Sequence, residues 1–240
     1  MRFVLLTQGI DGSLRVREED IHHLKVLRLG PEFELPGLLG TQKFKVLFRL
    51  GKKGYEPVEY IHNGVVNAGP QCLFMPLLQN SRIEWCLEKT TELGVAHIRF
   101  YYSDRSGDLN TDPKRVSSRM ERFRTKILAA CQQSANMAIP ILYEPQSLSQ
   151  ALEDFLLKNP GSRILGLGME GEEVLRVPED VRGCEGFLIG PEGDFSEMEY
   201  ESLKNFPIAL KRLPGNLILR SETAAIALLS LNLGVNCCLV

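Results

Sequence analysis

The chain has 240 residues, 44% of them hydrophobic and 24% charged, the balance of an ordinary globular protein with a real core. That length predicts two modest domains rather than one. A net charge of −2 excludes a globally basic nucleic-acid binder, so any RNA contact has to come from local basic patches. No apolar run approaches the roughly 20 residues needed to span a bilayer, and Met1–Leu6 meets polar Thr7-Gln8-Gly9 too soon for a signal peptide. A soluble, cytoplasmic protein is expected. Of the six cysteines, Cys72, Cys86, Cys131 and Cys184 are scattered, Cys237 and Cys238 are adjacent, and no C-x-x-C pair exists. They read as buried free thiols of a reducing compartment, and with histidines far from any cysteine pair no metal is expected.

In chain order, Phe3–Leu6, Lys43–Phe48 and Val58–Ile61 read as strands, with turns at Gly12-Ser13, Gly51–Gly54 and Asn63-Gly64. They predict a small β-barrel over 1–70. Within it, Ile21, Leu24 and Leu27 recur at helical spacing from Glu18 to Arg28, and Gly30-Pro31 stops the helix. From Gly69-Pro70 the pattern changes to strands alternating with helices, which predicts a second domain over 71–240 with a mostly parallel sheet. Ser81 and Glu84 form a capping-box pattern ahead of Ile83, Leu87 and Leu93, and Gly94 closes that helix. A strand at Ile98–Tyr102 follows. Asp112-Pro113 opens a long helix to about Gln133 that carries Lys114, Arg115, Arg119, Arg122, Arg124 and Lys126. Strands at Ile164–Leu167, Gly186–Ile189 and Ile208–Leu210, a Ser196–Glu199 capping box and an almost wholly apolar helix from Ser221 to Asn232 complete the chain.

Three stretches place glycine and proline at the ends of predicted strands: Leu165–Glu170, Ile189–Ser196 and Leu213–Thr223. Ligands of open α/β sheets bind beyond the carboxyl ends of strands, and glycine lets the backbone approach them closely. Any one of these loops alone is as readily a plain turn between strand and helix. Three together point to a site. There is no G-x-G-x-x-G opening a helix, no P-loop and no G-x-S-x-G elbow, which argues against a dehydrogenase, a kinase or ATPase, and a serine hydrolase.

Lys89–Val95, Ser103-Asp104-Arg105-Ser106, Ala130–Ser134 with Pro140, Gly190-Pro191-Glu192-Gly193 with Phe195-Ser196, and Leu219-Arg220-Ser221-Glu222-Thr223-Ala224 occur together in this order. Together with His22-His23-Leu24 and Val26-Leu27-Arg28, they make the chain resemble the RsmE family of 16S ribosomal RNA uracil-N3 methyltransferases. The resemblance covers nearly the whole chain. It implies a PUA-like β-barrel followed by a SPOUT domain with a trefoil knot, a homodimer, and S-adenosyl-L-methionine as cofactor. It further implies that Leu167, Gly168, Gly190, Glu192, Gly193, Leu213, Gly215 and Leu219 surround that cofactor. The substrate so implied is 16S ribosomal RNA in the 30S subunit.

Methyl transfer from a sulfonium needs alignment rather than a metal. Uracil N3 carries a proton, so the developing anion has to be stabilised or the proton removed; Arg220 and Glu222 are the candidates. A salt bridge between them, or a helix-start role for Glu222, is the alternative. Phosphate contacts are expected from Lys114, Arg115, Arg119, Arg122 and Arg124, with Arg15, Arg17, Lys25 and Arg28 contributed by the barrel. The chain departs from the family pattern at Gln132 in place of an acid, at Asn136, Met137 and Ala138 in place of basic residues, at Asp194 in place of glycine and at Leu217. The competing readings are a knotted RNA-binding or ribosome-assembly protein without turnover, and a SPOUT methyltransferase acting on another RNA.

Overall fold

The computed structural model describes residues 1–27, 29–66, 69, 71–78, 80–105, 112–171, 173–215 and 218–237. Two compact units emerge, Met1–Ala68 with Leu128–Ile139, and Gly69–Ile127 with Pro140–Val240. A boundary near residue 70 does not foresee that Leu128–Ile139 joins the first unit.

The first unit is a five-stranded, barrel-like sheet in the order β2-β1-β3-β4-β5. Its strands are β1 (Val4–Gln8), β2 (Leu14–Val16), β3 (Glu32–Leu39), β4 (Gln42–Gly51) and β5 (Gly54–Val65), with helix α1 (Glu18–Val26) between β2 and β3. Alternate residues turn inward, so Val4 and Leu6 of β1 meet Phe44, Val46 and Phe48 of β4 and Leu24 of α1. Helix α1 stops at Val26 because Leu27 is already extended, at ψ 128°; Arg28 lies outside the described residues. Asn63-Gly64 is not a turn. Phe44 pairs with His62 and Gln42 with Val65, which leaves one extra residue on β5, and Gly64 takes φ +92° to absorb it as a β-bulge.

Asp20, fully buried, fastens this unit: it accepts from the Leu5 amide at 2.6 Å, from Arg17 at 3.1 Å and from Gln132 Nε2 at 3.0 Å. The last bond accounts for the amide at position 132. A second carboxylate there would face Asp20, and each would raise the cost of the other's burial.

The second unit holds a seven-stranded sheet in the order β10-β12-β9-β11-β6-β7-β8, with every neighbouring pair parallel. Its first elements are β6 (Cys72–Pro76), α2 (Asn80–Glu92), β7 (His97–Tyr102), α3 (Pro113–Ser134, to Ile127 in this unit), β8 (Ile141–Ser147) and α4 (Leu148–Lys158). They are followed by β9 (Arg163–Leu167), β10 (Glu173–Val174), β11 (Cys184–Ile189), α5 (Glu197–Leu203), β12 (Ile208–Arg212) and α6 (Ser221–Cys237). Strands buried on both faces read as apolar runs, as in Cys72–Pro76, where all five residues are buried. Helix α2 begins at Asn80 and already includes Ser81, so Ser81 is not its cap. Gly94 at φ +81° ends it as expected, and the Ser196–Glu199 capping box at α5 is present in full.

Phe74 meets Phe155 of α4 edge-on at 5.3 Å between ring centres, in a core with Leu152, Ile164, Leu188 and Phe195. Cys72 and Cys86 lie within this unit, and burial pushes both thiols up to about 12, which makes them packing residues rather than nucleophiles. Among the described residues no cluster of His, Cys, Asp and Glu could hold a metal ion, and no helix is long and apolar enough to cross a membrane.

Candidate active site

Strands β12, β9 and β11 are neighbours, so the loops that leave their carboxyl ends emerge side by side. Between them lies a cavity of about 290 Å³. Leu167, Gly168 and Met169 line it after β9, Ile189 to Glu192 and Asp194 after β11, and Arg212, Leu213, Gly215, Ile218, Leu219, Ser221 and Ala224 after β12. The three glycine-rich loops of the sequence thus converge on one space.

The loops are tied to one another. Gly190 donates its amide to the Leu167 carbonyl at 3.0 Å, Gly168 its amide to Lys211 at 3.1 Å, and the buried Ser221 hydroxyl donates to the Gly190 carbonyl at 2.7 Å. From below, the fully buried Tyr101 donates to the Ile189 carbonyl at 2.6 Å. Asp194 closes the wall, with φ +59°, a left-handed conformation that aspartate tolerates better than most residues. Its carboxylate accepts from the Met169 amide at 3.1 Å and from the Tyr200 hydroxyl at 2.7 Å. Tyr200 in turn accepts from the Glu170 amide at 3.2 Å. Burial, then the bond to Asp194, hold the Tyr200 hydroxyl well above the usual phenol range, so it stays a donor.

Every cofactor residue expected from the resemblance lines this cavity except Gly193. The carbonyl of Gly193 is turned instead to Arg105, whose Nη1 donates to it at 2.9 Å. Glu192 lines the cavity with its carboxylate paired to Arg82. Arg220 and Glu222 are not in the wall. The Arg220 side chain is exposed between the lining residues Leu219 and Ser221, with no hydrogen bond or ion pair among the described residues. Glu222 is buried in the first turn of α6, Oε2 has no hydrogen-bond partner among the described residues, and its charge helps raise the Cys86 thiol of α2 after burial has done most of it. The two therefore form no salt bridge. Sequence reasoning missed Met169, Arg212 and Tyr200; Tyr200 carried the signal of sitting one helical turn past Ser196, on the face that returns to the loop.

The expected phosphate contacts fall into different classes. Lys114 and Arg115, at the start of α3, are exposed and make no ion pair among the described residues. Arg122 pairs with Glu84, Arg124 with Glu144 at 2.6 Å, and Arg119 donates to the Leu78 carbonyl and packs over Phe123. In the first unit Arg15 reaches Asp11 at 3.4 Å, Arg17 bonds Asp20 and Glu19, and Lys25 is exposed. Arg28, like Leu217, lies outside the described residues.

The chain is similar to known proteins in sequence and in fold. The chain is 26% identical to ribosomal RNA small subunit methyltransferase E of Helicobacter pylori over 96% of its own length and 99% of that protein. Its fold is shared with a ribosomal RNA small subunit methyltransferase E of Neisseria gonorrhoeae solved with S-adenosyl methionine, at a TM-score of 0.75, 23% identity, and coverage of 96% and 95% of the two chains. It is shared too with a Legionella pneumophila protein solved with the bound cofactor SAM, at a TM-score of 0.73, 24% identity and 97% coverage of both. The model of the RNA methyltransferase domain matches residues 67–232. With well over half of its length inside that match, the chain belongs to the family of RNA methyltransferase domains, and among them to the RsmE type.

Proposed function

We propose that the chain transfers a methyl group from S-adenosylmethionine to N3 of a uridine in 16S ribosomal RNA of the small subunit. The observation that carries the reading is the single cavity in which the loops after β9, β11 and β12 meet. Its wall suits such a cofactor: apolar Leu167, Ile189 and Leu219 offer a surface for a base, three glycines keep backbone polar groups within reach, and Asp194 presents an acid to a cationic centre. The relatives named as small-subunit methyltransferases support the substrate class. When bound, the cofactor supplies a methyl on a cationic sulfur, open to in-line displacement by the deprotonated N3.

The chain's own residues then have three tasks. The tied loops fix the cavity before anything binds, which is the alignment that counts for most in a direct transfer. Arg220, exposed beside the wall and unpaired among the described residues, can point its donors at a uracil carbonyl oxygen as N3 loses its proton. Glu222, turned toward α2, is given no proton in this reading. Lys114, Arg115 and Lys25 are exposed, with no ion pair among the described residues, and can meet phosphates, whereas Arg17, Arg119, Arg122 and Arg124 are already engaged by groups of the protein. Trp85 of α2 and Leu233 of α6, both about half exposed, support a homodimer, and a ribosomal substrate places the enzyme in the cytoplasm. The trefoil knot belongs to the same reading.

Purified protein with labelled S-adenosylmethionine and hypomethylated 30S subunits should yield N3-methyluridine in 16S RNA, and the Arg220→Ala variant should not. Label on a ribose hydroxyl or on transfer RNA alone would overturn the proposal. Label unchanged in the variant would remove Arg220 from the reaction.

A further inference from the structure

Asp194 is 4% exposed, lines the cavity and belongs to no ion pair among the described residues. A carboxylate taken out of water is costly unless a cation compensates it. Its two partners, the Met169 amide and the Tyr200 hydroxyl, are neutral donors. They orient the charge without cancelling it. The other charged residues of the wall do not cancel it either, since Glu192 is paired with Arg82, and Arg212 is exposed and makes no ion pair among the described residues.

Nor does the fold need the charge. An asparagine would tolerate the left-handed φ, accept from the Met169 amide through its carbonyl oxygen and turn its amide to the Tyr200 oxygen, which can accept as well as donate. What aspartate adds over asparagine is only the negative charge, and that charge sits on a residue of the cavity wall. A ligand that brings a positive charge completes it; a neutral one leaves it uncompensated.

Resting on the cofactor assignment made above, we propose that the Asp194 carboxylate is the counter-charge for the sulfonium of the methyl donor, making the site discriminate against the neutral thioether product. Donor and product are otherwise alike, both carrying adenosine and a zwitterionic amino acid, so the sulfur is the charge that distinguishes them. The consequence is a site that loosens its hold once the methyl has left.

Calorimetric titration of the full chain with S-adenosylmethionine and with S-adenosylhomocysteine gives the ratio of their Kd values. Asp194→Asn keeps the two hydrogen bonds and should lower the preference for the donor about tenfold, the equivalent of about 1.4 kcal/mol, by weakening the donor and sparing the product. Asp194→Gly gives up the bonds but suits the backbone φ, and should lower the ratio in the same way. Tyr200→Phe removes a tie and keeps the charge; it should weaken both ligands alike and leave the ratio as it was. If both Asp194 variants weaken donor and product by the same factor, the residue only holds the loops and the inference fails. If the unaltered protein binds neither compound, the cofactor assignment itself is wrong and the inference goes with it.

Discussion

Gly190→Ala is the sharpest probe of the tied loops. Gly190 follows β11, and its backbone is held on both sides, by the Leu167 carbonyl through its amide and by the Ser221 hydroxyl through its carbonyl. A Cβ on this residue would come to 3.1 Å from the Leu167 carbonyl oxygen, 3.1 Å from Cε2 of Phe195 and 3.4 Å from the Asp194 carboxylate. Its φ lies outside the left-handed region, so the penalty is one of packing rather than torsion. Neither close neighbour gives way freely. Phe195 is 1% exposed in the core, and moving the Leu167 carbonyl stretches the bond that joins two strands.

Overpacking of this kind costs about 1–3 kcal/mol. A loss of about 2 kcal/mol in a folding unit of this size lowers Tm by roughly 4–8 °C. The same displacement moves the carbonyl that faces Ser221 and should weaken S-adenosylmethionine by about tenfold in calorimetry, about 1.4 kcal/mol. Gly234→Ala serves as the control. Gly234 is exposed within α6 with nothing near its would-be Cβ, and alanine there should stabilise by about 0.5–1 kcal/mol. A Gly190→Ala protein that melts and binds like its parent would show that the strand-end loops are not held as described.

Two further outcomes follow from groups outside the cavity. Gln132→Glu places a carboxylate against the fully buried Asp20 and should destabilise the first unit by about 1–3 kcal/mol in urea titration at neutral pH; an unchanged midpoint would mean that the Gln132 amide is not what Asp20 needs. His97, which meets the Tyr143 hydroxyl at 3.3 Å, has its pKa lowered by burial and then by Arg99 and Lys158. The unfolded chain therefore takes up a proton at this residue before the folded one does, so stability falls as pH drops below the free histidine value of about 6.5 and levels off below the folded pKa. His97→Gln should flatten the stability profile across that window, and an identical profile in the variant would reject the assignment.

The loops were legible because glycine and proline after an apolar run have a local physical meaning, and the structure gathers those three runs at the ends of adjacent strands. Strand β8 and helix α4 were not read, although Ser147 and Gln150 form a complete capping box between them. Glu144, Pro145 and Gln146 interrupt the apolar pattern of β8, and its neighbour β7 supplies the burial that the strand's own sequence does not show. The Asn63-Gly64 pair carried a true signal of positive φ with two realisations, a turn or a bulge, and only the register against β4 decides between them. Gly193 illustrates the other limit. Its partner Arg105 lies 88 residues away, so no local pattern could tell that its carbonyl leaves the cavity. Arg220 and Glu222 are separated by one residue at a helix start, where a turn of about 100° per residue sends neighbours to different sides. The salt bridge between them, given above as the alternative, does not form.

The placement of the charges explains why this geometry suits the proposed direct transfer, which passes through no covalent enzyme intermediate. Each loop is held by a group from another: β9 by the amide of Gly190, β11 by Ser221 at the start of α6 and by Tyr101 of β7, and the turn after β9 by Asp194 and Tyr200. A wall tied in this way pays its ordering entropy during folding, so little of the binding energy is lost to arranging it. It also holds Asp194 where water alone would not keep a carboxylate, in a buried position whose donors among the described residues are neutral. Such a group is stable enough to persist and too poorly compensated to be indifferent to what enters. The same ties that make the cavity rigid thus leave it electrostatically incomplete, and a positively charged donor is what completes it.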